Sequence, residues 1–130
     1  MLRQYKGCAP PYFKSYYMIE EMIEAKVSQY MSTYGQAESV EIFQRLQSSK
    51  LFLENLDIAL NRHEVPSGKT LTNIIRGCHY KFILANKRKI YFSSLFFLKV
   101  LYDKYEQLGF PINEERFAKS LLEVCEINAS

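Results

Sequence analysis

The chain has no tryptophan, three cysteines, two histidines, five glycines and four prolines in 130 residues. Each shortage excludes something. So few glycines and prolines cannot supply the frequent turns of a β-sandwich or barrel. Cys8, Cys78 and Cys125 are odd in number and far apart, which argues against a disulfide scaffold and for a reducing compartment. His63 and His79 share no metal-ligand spacing with each other or with the cysteines, so neither metal nor cofactor is expected. No apolar run approaches the roughly 18 residues of a membrane span; Ser93, Ser94 and Lys99 interrupt the richest stretch, Ile90 to Leu101. The opening MLRQYKGCAPPYF lacks the apolar core of a secretory signal and reads as an extension over residues 1–11. These absences together place the chain in the cytoplasm.

What is abundant is apolar and aromatic. Hydrophobic residues make up 48% of the sequence, with ten Tyr and nine Phe among them. A chain of this length buries roughly two-thirds of its unfolded surface, enough for a real core. Charge is unevenly spread around a net +3. Residues 14–64 carry five basic and eight acidic groups, residues 66–105 eight basic against Asp103 alone, and residues 106–130 two basic and five acidic. A basic middle therefore lies between acidic flanks.

Periodicity predicts an all-α, single-domain bundle of about five helices with short loops. Tyr12, Tyr16, Ile19, Ile23, Val27, Tyr30 and Tyr34 recur at helical spacing, and Gly35 stands where a C-terminal cap belongs. A second helix is expected from Gln36 through Val40, Phe43, Leu46, Leu53, Leu56 and Leu60, weakened or bent at Ser48-Ser49. The loop from His63 to Lys69 precedes a third helix capped by Thr70, using Leu71, Ile74, Ile75, Cys78, Phe82 and Ala85. After an interruption at Asn86 to Lys89, Ile90 to Phe92 reads as helix, with a short extended piece as the alternative. The helix through Leu95, Leu98, Leu101 and Tyr105 is apolar on more than one side and is expected to be the most buried. Gly109 ends it. Asn113 caps a fifth helix, with Glu114 and Glu115 suited to its N-terminus and Ile112 with Phe117 as a hydrophobic staple.

No catalytic constellation stands. His63-Glu64-Val65-Pro66-Ser67-Gly68-Lys69-Thr70 ends like a phosphate-binding P-loop, but His63 occupies the first glycine's place and no strand precedes it. Weak anion affinity at that helix start stays open. Cys78 falls on an apolar face beside His79 with nothing to mark an activated thiol. Glu20-Glu21 and Glu114-Glu115 read as solvent-facing pairs. The chain is therefore expected not to be an enzyme, and no small-molecule substrate follows.

Two surfaces carry the functional expectation. The basic stretch offers Lys69, Arg76, Lys81, Lys87, Arg88 and Lys89, interleaved with Tyr80, Phe82, Tyr91 and Phe92. This mixture suits an acidic protein partner, or nucleic acid as the alternative. The other surface is the Tyr-rich first hairpin, from Tyr16 onward. Within it an apolar pair at Ile23 and Val27, then Tyr30-Met31, Gly35, Ser39 and Phe43 fall in register, and this run resembles a LisH motif. Gln36 stands where that family has Tyr, and Met31 where it has Leu. The resemblance, over residues 23–43, implies dimerisation of paired helical hairpins through Ile23, Val27, Tyr30 and Phe43, with Met31 beside them. The same residues also suit the hairpin's internal core, the more usual role of such a stripe. The overall expectation is a non-catalytic protein–protein interaction module: an adaptor, a regulator or an assembly subunit.

Overall fold

The computed structural model describes residues 19–78 and 86–128. Six helices and no strand are found there: α1 Ile19–Tyr34, α2 Gln36–Gln47, α3 Lys50–Arg62, α4 Gly68–Cys78, α5 Lys87–Leu108 and α6 Glu114–Ile127. The helical bundle expected from periodicity is what forms, with one more helix than five. No helix among the described residues is long and apolar enough to cross a membrane. Tyr12, Tyr16, Phe82 and Ala85, assigned above to helix faces, lie outside the described residues.

The extra helix comes from Ser48-Ser49, which ends one helix and starts another instead of bending one. The Ser49 hydroxyl accepts the Phe52 amide at 3.3 Å and so caps α3. The break resets the helical phase. Ile42, Leu46, Phe52, Leu56 and Ala59 face inward, while Val40 and Leu53 are exposed and Leu60 is half-buried. A second correction concerns α4, capped by Ser67 and not Thr70: the Ser67 hydroxyl accepts the Thr70 amide at 3.2 Å. The N-caps at Asn86 and Asn113 accept the Lys89 and Arg116 amides at 3.2 and 3.1 Å. Residues 87–92 are helical, so the extended alternative for Ile90 to Phe92 falls away.

Helix α5 is the axle of the fold and touches each of the other five. Its residues 92–98 are all buried, serines included. Helices hydrophobic all round belong in a core, and this one is surrounded. Phe92 stacks on Tyr30 and Phe96 on Phe52, Phe43 lies tilted against both Phe92 and Phe96, and Phe97 meets Phe52 edge-on at 5.3 Å. Tyr102 and Tyr105 meet Phe117 of α6 edge-on at 5.5 and 5.9 Å. The Tyr105 hydroxyl donates to the Ala59 carbonyl, tying α5 to α3. Ser93 and Ser94 hydroxyls have no hydrogen-bond partner among the described residues, a cost the surrounding apolar burial carries.

Two glycines meet special demands. Gly35 has φ 96 and ψ 154, a backbone region open essentially to glycine alone, and this turns α1 into α2. Gly68 lies where α4 crosses α6: an added Cβ would stand 2.5 Å from the Glu123 Cβ.

Candidate binding groove

Helices α1 and α5 run antiparallel. Glu24 meets Lys99, Tyr30 meets Phe92 and Tyr34 meets Arg88, so the C-terminal end of α1 lies beside the start of α5. That start carries Lys87, Arg88 and Lys89 in its first turn. The arrangement inverts the usual rule. A helix N-terminus is a partial positive charge and favours acids, as in α1, α2 and α6, whose first turns hold Glu20 and Glu21, Glu38, and Glu114 and Glu115. In α5 three cations add to the dipole instead, and its last turn holds no base.

The cations open onto a groove of about 460 Å³ between α1, α5 and the end of α6. Lys26, Lys87 and Arg88 line it with Tyr30, Tyr34 and Tyr91, and among the described residues no carboxylate does. The Arg88 guanidinium lies 4.4 Å from the Tyr34 ring centroid. Tyr34 leans on Tyr30 at 4.6 Å, and Tyr30 stacks on Phe92 at 4.2 Å. The Tyr30 hydroxyl donates to the Glu38 carboxylate, and burial, then that bond, raises its pKa. On the floor, Tyr91 Oη lies 3.9 Å from the Cys125 thiol. Two surfaces expected separately, the Tyr-rich hairpin and the basic stretch, meet at this place.

They do not meet in full. Ile23, Val27 and Tyr30 are buried in the chain's own core, and Met31 and Phe43 are half-buried against it. A LisH-like contact through Ile23 and Val27 would need that core to open. Lys69 and Arg76 are exposed on α4 and do not line the groove; Lys89 is half-buried beside it. Lys99 is engaged by Glu24 at 2.8 Å and Asp103 at 3.3 Å, and the Glu24 bond raises its pKa. Tyr16, His79, Tyr80 and Lys81 lie outside the described residues.

The P-loop lookalike has a different job. The Gly68 amide at the start of α4 donates to Glu123 Oε1 at 2.8 Å, so a carboxylate of α6 already sits where a phosphate would. The loop instead walls a groove of about 580 Å³, in which Arg62, Arg116 and Lys119 mix with Glu64 and Glu123. Cys78 is half-buried, and burial pushes its thiol pKa up, opposite to an activated nucleophile.

One cluster escaped the sequence reading. Carboxylate oxygens of Glu20, Asp103 and Glu106 lie within 4.8 Å of one another at the far end of α1 and α5. Glu20 is half-buried rather than solvent-facing; burial first, then Glu106 and Asp103, raises its carboxyl pKa. The three are 83 or more positions apart from Glu20 to the others, and only antiparallel pairing joins them.

No family model matches the chain, and neither a curated protein nor a solved structure matches it.

Proposed function

We propose that the protein is a non-catalytic interaction module whose docking site is the cationic groove between α1, α5 and α6, and that the group it receives is an acidic segment of a protein. The observation that carries this reading is the first turn of α5. Two of its three cations, Lys87 and Arg88, stand where the helix dipole disfavours them and line with Lys26 a groove to which no carboxylate of the described residues contributes.

A protein segment fits better than nucleic acid because the ring faces are engaged. Arg88 covers Tyr34, and Tyr30 lies against Phe92, whereas base recognition needs faces open to stacking. Cations beside aromatic rings are a composition that protein interfaces favour.

The test is fluorescence anisotropy with a labelled oligoglutamate peptide and a labelled single-stranded oligonucleotide, titrated at low salt. The peptide is expected to bind, to weaken as salt rises, and to lose about tenfold or more with Arg88→Glu. Absence of peptide binding to folded protein at low salt would overturn the reading. Tighter binding of the oligonucleotide would replace it with the nucleic-acid alternative.

A further inference from the structure

At the groove, α1 and α5 meet through two ring contacts one helical turn apart. Tyr30 and Tyr34 are four positions apart on α1, and so are Arg88 and Phe92 on α5, so each pair shares a helix face. The inner contact is Tyr30 on Phe92, with centroids 4.2 Å apart and planes within 13°. Both residues are buried, and the Tyr30 hydroxyl donates to the Glu38 carboxylate of α2, so this ring is held at its face and at its tip. The outer contact is Tyr34 with Arg88, whose guanidinium carbon lies 4.4 Å from the ring centroid. The Tyr34 ring is in turn backed by Tyr30 at 4.6 Å. Tyr34 and Arg88 are both exposed, and both line the groove.

An arginine in the first turn of a helix is pushed outward, because its long side chain has many rotamers and the dipole at that end repels it. The face of an aromatic ring supplies the opposing pull. A guanidinium held over a ring can still offer its planar N–H fork to a carboxylate, which a flexible ammonium cannot match. We infer that Tyr34 is a positioning residue of this groove: its ring fixes the Arg88 guanidinium in the groove wall, so that the carboxylates of the acidic segment are read by an oriented fork at position 88 and not by positive charge alone. The inference rests on the reading of the groove as a seat for acidic groups. Register carries it. Phe92 fixes where Tyr30 stands, Tyr30 backs Tyr34, and Tyr34 meets Arg88, so the place of this surface cation is set from the core outward.

Anisotropy titrations of the full chain with the labelled oligoglutamate peptide, over a salt series, test this. Tyr34→Leu removes the ring and keeps every charge. It is expected to bind about fivefold more weakly, through the lost cation–π contact and the rotamer freedom that Arg88 regains. Its dependence of affinity on salt should match wild type, whereas Arg88→Glu should flatten that dependence. Tyr34→Phe, which puts the ring back, is expected to restore binding. Arg88→Lys keeps the charge without the fork and is also expected to lose about fivefold. Nuclear magnetic resonance of the Arg88 side chain gives a readout without peptide: its protons should lie upfield under the ring current in wild type and in Tyr34→Phe, but not in Tyr34→Leu. Far-UV circular dichroism of each variant confirms that it is folded. The inference is overturned if folded Tyr34→Leu or Arg88→Lys binds as wild type does, if Tyr34→Phe fails to restore binding, or if the Arg88 protons are unshifted in wild type. Wild-type binding that Tyr34→Leu leaves untouched removes the positioning role alone. Wild type that binds no peptide removes the reading of the groove, and the positioning role with it.

Discussion

Gly68 is the sharpest test of how the helices are placed. An alanine there would set its Cβ 2.5 Å from the Glu123 Cβ and 2.9 Å from both the Glu123 carbonyl carbon and the Val124 amide nitrogen. Non-bonded carbons prefer about 3.5–4.0 Å, so α4 and α6 must separate. Two of the three obstructing atoms are backbone and cannot rotate aside. Overpacking of this kind costs about 1–3 kcal/mol, and the backbone obstruction places it near the top, about 3. Against this stands a helix-propensity gain for alanine of up to about 1 kcal/mol. The net loss is about 2 kcal/mol, about 8 °C in Tm at about 4 °C per kcal/mol for a domain of this size. Separation also threatens the 2.8 Å bond from the Gly68 amide to Glu123. Gly77, in the same helix, supplies the control. Among the described residues its added Cβ would meet Leu51 Cδ2 alone, at 2.8 Å, the tip of an exposed, flexible side chain. Gly77→Ala is therefore expected to hold or raise Tm, by up to about 4 °C from about 1 kcal/mol. Thermal melts of both variants by far-UV circular dichroism decide the matter. If Gly68→Ala melts at or above wild type, α4 and α6 do not approach as described.

Other outcomes follow from single features. Gly35→Ala meets no atom of the described residues within 4 Å, so a loss reads out backbone strain at φ 96; about 1–3 kcal/mol is expected by urea denaturation, and an unchanged midpoint would refute the turn geometry. Ser93→Ala and Ser94→Ala remove buried hydroxyls that have no partner among the described residues, and are expected to stabilise by about 1 kcal/mol each; a comparable loss in the same assay would mean that each hydroxyl has a partner. Burial, ahead of nearby carboxylates, pushes Tyr102 up to about 12 from an ordinary 10.0, and burial also raises Tyr30, Tyr91 and Tyr105. The folded state keeps protons that the unfolded chain releases, so stability holds below about pH 10 and falls as pH climbs from there toward 12. Tyrosinate absorbance and ellipticity followed together should show late tyrosines ionising with unfolding; complete titration near pH 10 in a folded chain would contradict their burial.

Legibility followed the range of the interactions. Helix α1 from Ile19, the caps at Asn113 and Gly109, and the burial of α5 were readable because each rests on neighbours within a few positions. The error over Leu53 arose at one point: a single helical phase was carried across Ser48-Ser49, where the Ser49 hydroxyl instead starts a new helix whose inward face is Phe52, Leu56 and Ala59. Thr70 was chosen as cap over Ser67 because both are good capping residues, and only the position of the first helical amide separates them. The groove was legible in halves. Its cations and its tyrosines were each singled out, but their meeting depends on α1 lying antiparallel on α5.

By itself, then, the sequence determined the helical class, the helix ends at Gly35, Gly109 and Asn113, the buried character of the aromatic-rich α5 and the basic character of residues 66–105. These follow from local backbone preference and from a 3.6-residue period that needs no knowledge of neighbours. Only the tertiary structure decided which charges stand together. It joined Lys26 to Arg88 at one end of the α1–α5 pair and Glu20 to Glu106 at the other. It withdrew Lys99 into ion pairs and drew Ile23, Val27 and Tyr30 into the core. The physical reason is that burial of apolar faces sets the direction and register in which helices meet, and charged groups distant in sequence are carried to their places by that choice.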